Sequence, residues 1–158
     1  MIRHRHIPEF IAILEKYQTT IWPYLKKSAN ATDLAGQILF VGDWPRTNFV
    51  DKLRHYESGL KAIISVVDYG IITRRGVGFG SKRNHDTISV AITVLTADPS
   101  LREEIGGDLW NFMDYHAHLF RGTASRWELS STTSKGVISA PDGLYGRMYQ
   151  VQLDEITG

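Results

Sequence analysis

Between residues 86 and 121 the chain alternates, stops, and then changes period. Ile88, Val90, Ile92 and Val94 share one parity, with Thr87, Ser89, Ala91 and Thr93 on the other. A period of two places the aliphatic set on one face of a strand, with that face buried. The alternation ends at Ala97-Asp98-Pro99. Asp98 can accept from the first free helical N–H groups, and Pro99 suits the first helical position because it has no donor to leave unpaired. Leu101, Ile105, Leu109, Phe112, His116 and Leu119 then recur three or four apart, predicting a helix of about six turns that closes at Arg121-Gly122.

The same reading extends to the rest of the chain. Ile7, Phe10, Leu14, Tyr17, Ile21 and Leu25 predict a helix over residues 7–27, kinked or split near Ile21-Trp22 by Pro23. Residues 34–41 fit either a short strand or a helical extension. Phe49, Leu53 and Tyr56 predict a short helix ended at Ser58-Gly59. Residues 62–67, AIISVV, are apolar on both parities, as expected of a central strand covered on both sides. That strand continues through Tyr69, Ile71 and Ile72, with a bulge or bend at Gly70. A long hairpin arm follows, then the alternating strand and the long helix. Residues 123–131, carrying Trp127 and Leu129, read as a strand and residues 130–146 as a Ser/Thr/Gly/Pro loop. Tyr149, Val151 and Leu153 mark a final half-exposed strand. The sum is one α+β domain over residues 1–158: a mostly antiparallel mixed sheet of four to five strands, flanked by helices, with a β-hairpin arm.

Composition narrows the function classes. The 158 residues suffice for a core without covalent help, and 42% hydrophobic and 22% charged residues are ordinary for a soluble domain. No apolar run approaches the roughly 18 residues of a membrane span, and the basic tip MIRHRHIPEF has no apolar segment of a secretory signal. The chain has no cysteine, so disulfides, thiol nucleophiles and thiolate metal sites are excluded, which suits the cytoplasm. Eighteen basic and seventeen acidic residues give a net charge of +1, too balanced for a dedicated nucleic-acid binder.

Candidate chemistry is sparse. On one helix His116 and His118 would point about 200° apart, and Asp114 with His118 supplies only two ligands. His116 reads as a core or interface histidine; His4 and His6 sit near the terminus. Gly76, Gly78 and Gly80 precede a strand instead of a helix, so no helix N-terminus meets a phosphate. Ser58-x-x-Lys61 ends a helix, whereas acylating enzymes place that pattern at a helix start. No acid–base pair stands out, and no cofactor or metal is expected. The feature left over is the arm, residues 74–85, RRGVGFGSKRNH. Arg74, Arg75, Lys82 and Arg83 surround glycines and Phe79, a set able to form charge-assisted bonds and one apolar anchor on a partner.

The order of elements, with AIISVVDYGI, ISVAITVLTADPSLREEIGGDLWNFMDYHAHLF and GRMYQVQLDEI as its fixed points, resembles the tail-terminator or tail-completion proteins of tailed bacteriophages, particularly those of Mu-like contractile tails. The likeness runs over residues 7–156 and is one of pattern; the 74–85 tip and the 130–146 loop depart from it. It implies an α+β subunit that forms a ring, typically of six, caps the tail tube, ends its growth and docks the tail to the head. The implied partners are further copies of the chain, the tail tube protein and a head-tail connector protein, with no membrane and DNA only in passage through the ring. The implied place is the virion tail after assembly in the host cytoplasm. No catalytic residue or cofactor is implied. Two other readings remain open at this level: a small enzyme or ligand-binding domain with its site under the 130–146 loop, and another head-tail connector subunit.

Overall fold

The computed structural model describes residues 6–25, 37–43, 47–54, 59–76, 84–123, 126–140 and 143–157. Helix α1 (His6–Ile21) is followed by strand β1 (Ile38–Val41), helix α2 (Thr47–Arg54), the long strands β2 (Ala62–Gly76) and β3 (Asn84–Thr96), and helix α3 (Pro99–Tyr115). A 3₁₀ turn (Ala117–Leu119) then leads to strands β4 (Trp127–Ser139) and β5 (Tyr145–Thr157). The five strands form one sheet in the order β1-β2-β3-β5-β4. Among the described residues β1–β2 is the one parallel pair, and the remaining pairs are antiparallel. The α+β class and the mostly antiparallel mixed sheet are as the periodicity predicts.

The step from strand to helix forms as its residues dictate. Asp98 accepts from the Ser100 backbone N–H at 2.7 Å, and Pro99 occupies the first turn, so one orphan donor is satisfied and another never exists. The helix is shorter than its apolar stripe. It stops at Tyr115, and His116 to Leu119 leave it through the 3₁₀ turn. Helix α1 ends at Ile21, where Pro23 predicts a kink or split, and the Trp22 N–H donates back to the Gln18 carbonyl at 2.8 Å.

Both long helices lie on one face of the sheet. Phe10, Leu14, Ile105, Leu109 and Met113 meet Ile64, Val66, Val90, Ile92, Val94 and Val151 in one core, all fully or almost fully buried. Phe10 has its ring centroid 5.0 Å from Phe120 and 6.0 Å from Trp127. The Trp22 indole donates to the Ile105 carbonyl at 3.0 Å and ties the end of α1 to α3. Close approach of α3 to β5 depends on Gly106, where a Cβ would lie 2.8 Å from the Tyr149 hydroxyl.

The opposite face differs from expectation. Ser89, Ala91 and Thr93 are only 4%, 2% and 3% exposed, so β3 is buried on both sides. Helix α2 accounts for the end of this face, where Val50 and Leu53 pack with Leu39, Ile63, Leu95 and Leu144 in a second cluster. Along the rest, small side chains on a middle strand sink between longer neighbours. The Gln150 amide, for example, donates to the Ser89 hydroxyl at 2.6 Å.

The largest correction concerns residues 130–146. Most of that segment is strand: β4 runs to Ser139 and pairs with β5 along its length, with register shifts between Leu129 and Ser131 and between Ser134 and Gly136. β4 is the outer strand, exposed over most of its length. No apolar alternation is needed where neither face meets a core, and the Ser/Thr composition follows.

Candidate assembly interface

Strand β1 pairs with β2 only from Ala62 to Ser65. Beyond Ser65, among the described residues, β2 is an outer strand. Its inner edge is fully paired with β3 as far as Gly76 and Asn84, but the ladder slips twice, between Asp68 and Gly70 and between Ile71 and Thr73. Tyr69 and Ile72 are the extra residues. Each is half of a bulge in which two residues oppose one, and Gly70, at φ 92°, takes the left-handed backbone that the first bulge needs. Three large apolar side chains stand in the open here: Tyr69, Ile71 and Ile72 are 65%, 46% and 52% exposed. Natural outer strands are usually blunted with charge at such positions. This one presents a ridge of apolar surface.

The periodicity had these residues continuing a buried strand. The composition YGII is the same in either case, and these residues lie past the last described rung with β1 at Ser65.

Arg74 is held within the fold. It faces Asp86 across the ladder and grips it with two bonds, Nε to Oδ1 at 2.7 Å and Nη2 to Oδ2 at 2.9 Å. Asp86 is 1% exposed and Arg74 about half exposed, so an exposed guanidinium neutralises a buried carboxylate. The hydrogen bonds from Arg74 to Asp86 are the first cause of its upward pKa shift. Arg74→Ala is expected to lower the thermal midpoint by several degrees, because Asp86 is left buried without its cation. Arg74→Lys should recover part of that, since one donor cannot replace a fork. An unchanged midpoint for Arg74→Ala would show that Asp86 has other sufficient partners. Arg75 pairs through its backbone with His85 in the last rungs of the hairpin. Phe79, Lys82 and Arg83, the remaining residues expected to bind a partner, lie outside the described residues.

On the helix-bearing side of the same strand, His6 is buried. Its Nε2 lies 2.8 Å from Asp68 Oδ2 and its Nδ1 3.7 Å from Glu155 Oε2. The start of α1 is thereby fastened to β2 and β5 at the base of the arm. His6, which the sequence places near the terminus, is a structural residue.

The other candidates separate in space. His116 is exposed instead of sitting in the core, and it tilts against Phe112 at 4.7 Å and against His118 at 6.0 Å. Because α3 ends at Tyr115, the helical geometry expected for this pair does not apply. Among the described residues no group of three His, Asp or Glu side chains is placed to hold a metal ion. The site imagined under a 130–146 loop has no such loop above it. A cavity of about 240 Å³ does lie between α3 and the β4–β5 pair, with Trp110 stacked on Tyr149 at 5.5 Å. Its cation Arg147 is held by Glu103 at 3.0 Å. Tyr149 titrates above the ordinary tyrosine range, chiefly because it is buried, and it is therefore a neutral wall of the cavity at neutral pH.

No protein-family model matches the chain, and no curated protein matches it at a significant level.

Proposed function

We propose that the chain is a structural assembly protein of a bacteriophage tail, a terminator subunit that caps the tail tube as a ring of copies, stops its elongation and docks the tail to the head. The observation carrying this reading is the β2 ridge. Tyr69, Ile71 and Ile72 lie in the open on an outer strand, at the base of an arm whose tip holds Phe79, Lys82 and Arg83. Exposed apolar side chains beside unpaired backbone mark a protein–protein contact. The arm contributes the basic and aromatic side chains, and the partners are copies of the chain, the tube protein and a head-tail connector protein. The pattern resemblance supplies the tail. A subunit of this kind works by position and needs no cofactor.

The test shortens the arm at the rungs the ladder defines. Replacing residues 77–83 by Asn-Gly joins Gly76 to Asn84 through a two-residue hairpin turn. The β2–β3 pairing below it stays whole, so the thermal midpoint should hold. Ring formation on isolated tubes, followed by electron microscopy, should be lost, and tube lengths should no longer be uniform. Normal capping by the shortened chain would overturn the role given to the arm tip.

A further inference from the structure

The two bulges that interrupt β2 also determine what can lie against it. Asp68, Ile71 and Arg74 pair with Val90, Ile88 and Asp86, and all three belong to the helix-bearing face. Between them stand two doubled positions on the other face, Tyr69 with Gly70 opposite Ser89, and Ile72 with Thr73 opposite Thr87. The sequence of faces from Asp68 to Arg74 therefore reads the same in both directions, with its centre at Ile71. A regular strand alternates every residue and falls out of step with this edge after one bulge. An antiparallel copy of the same edge stays in step throughout.

We propose that two copies of this chain pair through their β2 edges, antiparallel, about a two-fold axis passing beside Ile71. The reading rests on β2 being a contact surface, as proposed above, but not on a ring or a tail. Every opposed pair in that arrangement is chemically compatible. Ile71 meets Ile71 of the second copy. Ile72 lies over Gly70, where the space that a Cβ would enter is empty. Tyr69 lies against Thr73, a cross-strand pair of aromatic and β-branched residues. Arg74 meets Asp68, opposite in charge, while each keeps its partner within its own chain. The β4 edge lacks this match: its exposed residues are mostly Ser, Thr, Glu and Lys. A two-fold contact closes on itself, so it is not the repeated contact of a six-membered cyclic ring. It is the contact of a soluble pair, which covers the apolar ridge and must open before β2 is used in a larger assembly.

The absence of cysteine from the chain makes the test direct. Directly opposed residues of an antiparallel pair have Cα atoms about 4.5–5.5 Å apart, within the about 4.4–6.8 Å that a disulfide spans. Ile71→Cys in the full chain should therefore cross-link to a dimer on mild oxidation. It should do so at least about tenfold faster than Val137→Cys, a comparably exposed position on β4. The unaltered chain should sediment at twice its 17.9 kDa mass. Ile71→Lys should sediment as a monomer with its circular dichroism retained. A monomeric unaltered chain would overturn the proposal, and so would an Ile71→Cys chain that cross-links no faster than the β4 control. The readouts keep the two proposals apart. A position-71 dimer that caps no tube sinks the tail reading alone, whereas a ring-forming chain that never cross-links at position 71 sinks the two-fold alone.

Discussion

Phe10→Ala is expected to destabilise the protein by about 3–5 kcal/mol, as truncation of a buried aromatic does when the site cannot collapse. Phe10 is fully buried, and its neighbours are large rings fixed from three directions: Phe120 after α3, Trp127 at the start of β4, and the sheet beneath. The loss also loosens a polar anchor. Glu9, the residue before it, accepts from the Thr123 backbone N–H at 2.7 Å and from the Trp127 indole at 3.4 Å. Chemical denaturation should show a lower midpoint with an unchanged slope. A loss under about 1 kcal/mol would mean that α1 contributes little to the core against which it lies.

Ile92→Ala should cost about 2–5 kcal/mol, and Thr93→Ala much less. Both side chains are buried, at 0% and 3% exposure, so burial alone does not separate them. What separates them is the surroundings. Ile92 points into the layer between the sheet and the two long helices and is fully enclosed there. Thr93 is a short side chain on the face where α2 covers only one end, beside Ser65 and Ala91, which are themselves small, so truncating it removes few contacts and leaves a small gap. Parallel denaturation curves for the two variants decide the matter. Equal losses would show that the face bearing Thr93 is as tightly packed as the face bearing Ile92.

The parts of this fold that could be read from the chain are those in which the cause is local. The change of period at residues 97–99 needs only Asp98, Pro99 and their neighbours, and the Ser100–Asp98 cap is where those residues place it. The bulge at Gly70 belongs to the same class. What escaped the reading depends on neighbours distant in sequence. Beyond Leu129, β4 carries no apolar alternation because there it is an outer strand with little core to face, and its Ser and Thr residues resemble those of a loop. The ridge of Tyr69, Ile71 and Ile72 lies beyond the four residues of β1, and its exposure depends on what covers the sheet there. The Arg74–Asp86 grip requires a register that two bulges displace by two rungs, and no periodicity reports that. For the candidate interface, the sequence located the arm and its basic residues. The structure moved the emphasis to the strand below the tip and gave Arg74 a structural partner.

The position of β5 governs the order in which this protein can come together. β5 is the last strand in chain order, yet it lies between β3 and β4, joined to both along its length. During synthesis, the hairpin of β2 and β3 and the helix α3 emerge first, while the second edge of β3, which ends at Thr96, waits for a strand that begins only at Tyr145. β4 emerges next; its first residues bond to the backbone of residues 120–122, but among the described residues the rest of its ladder is with β5 and must wait for it. Non-local pairing of this kind has a large loop-closure cost that must be met before it is rewarded. The sheet is therefore completed by insertion, not by growth at an edge. A nascent chain halted before residue 145 holds two unsatisfied strand edges where the finished protein has a ladder, and such edges recruit other chains.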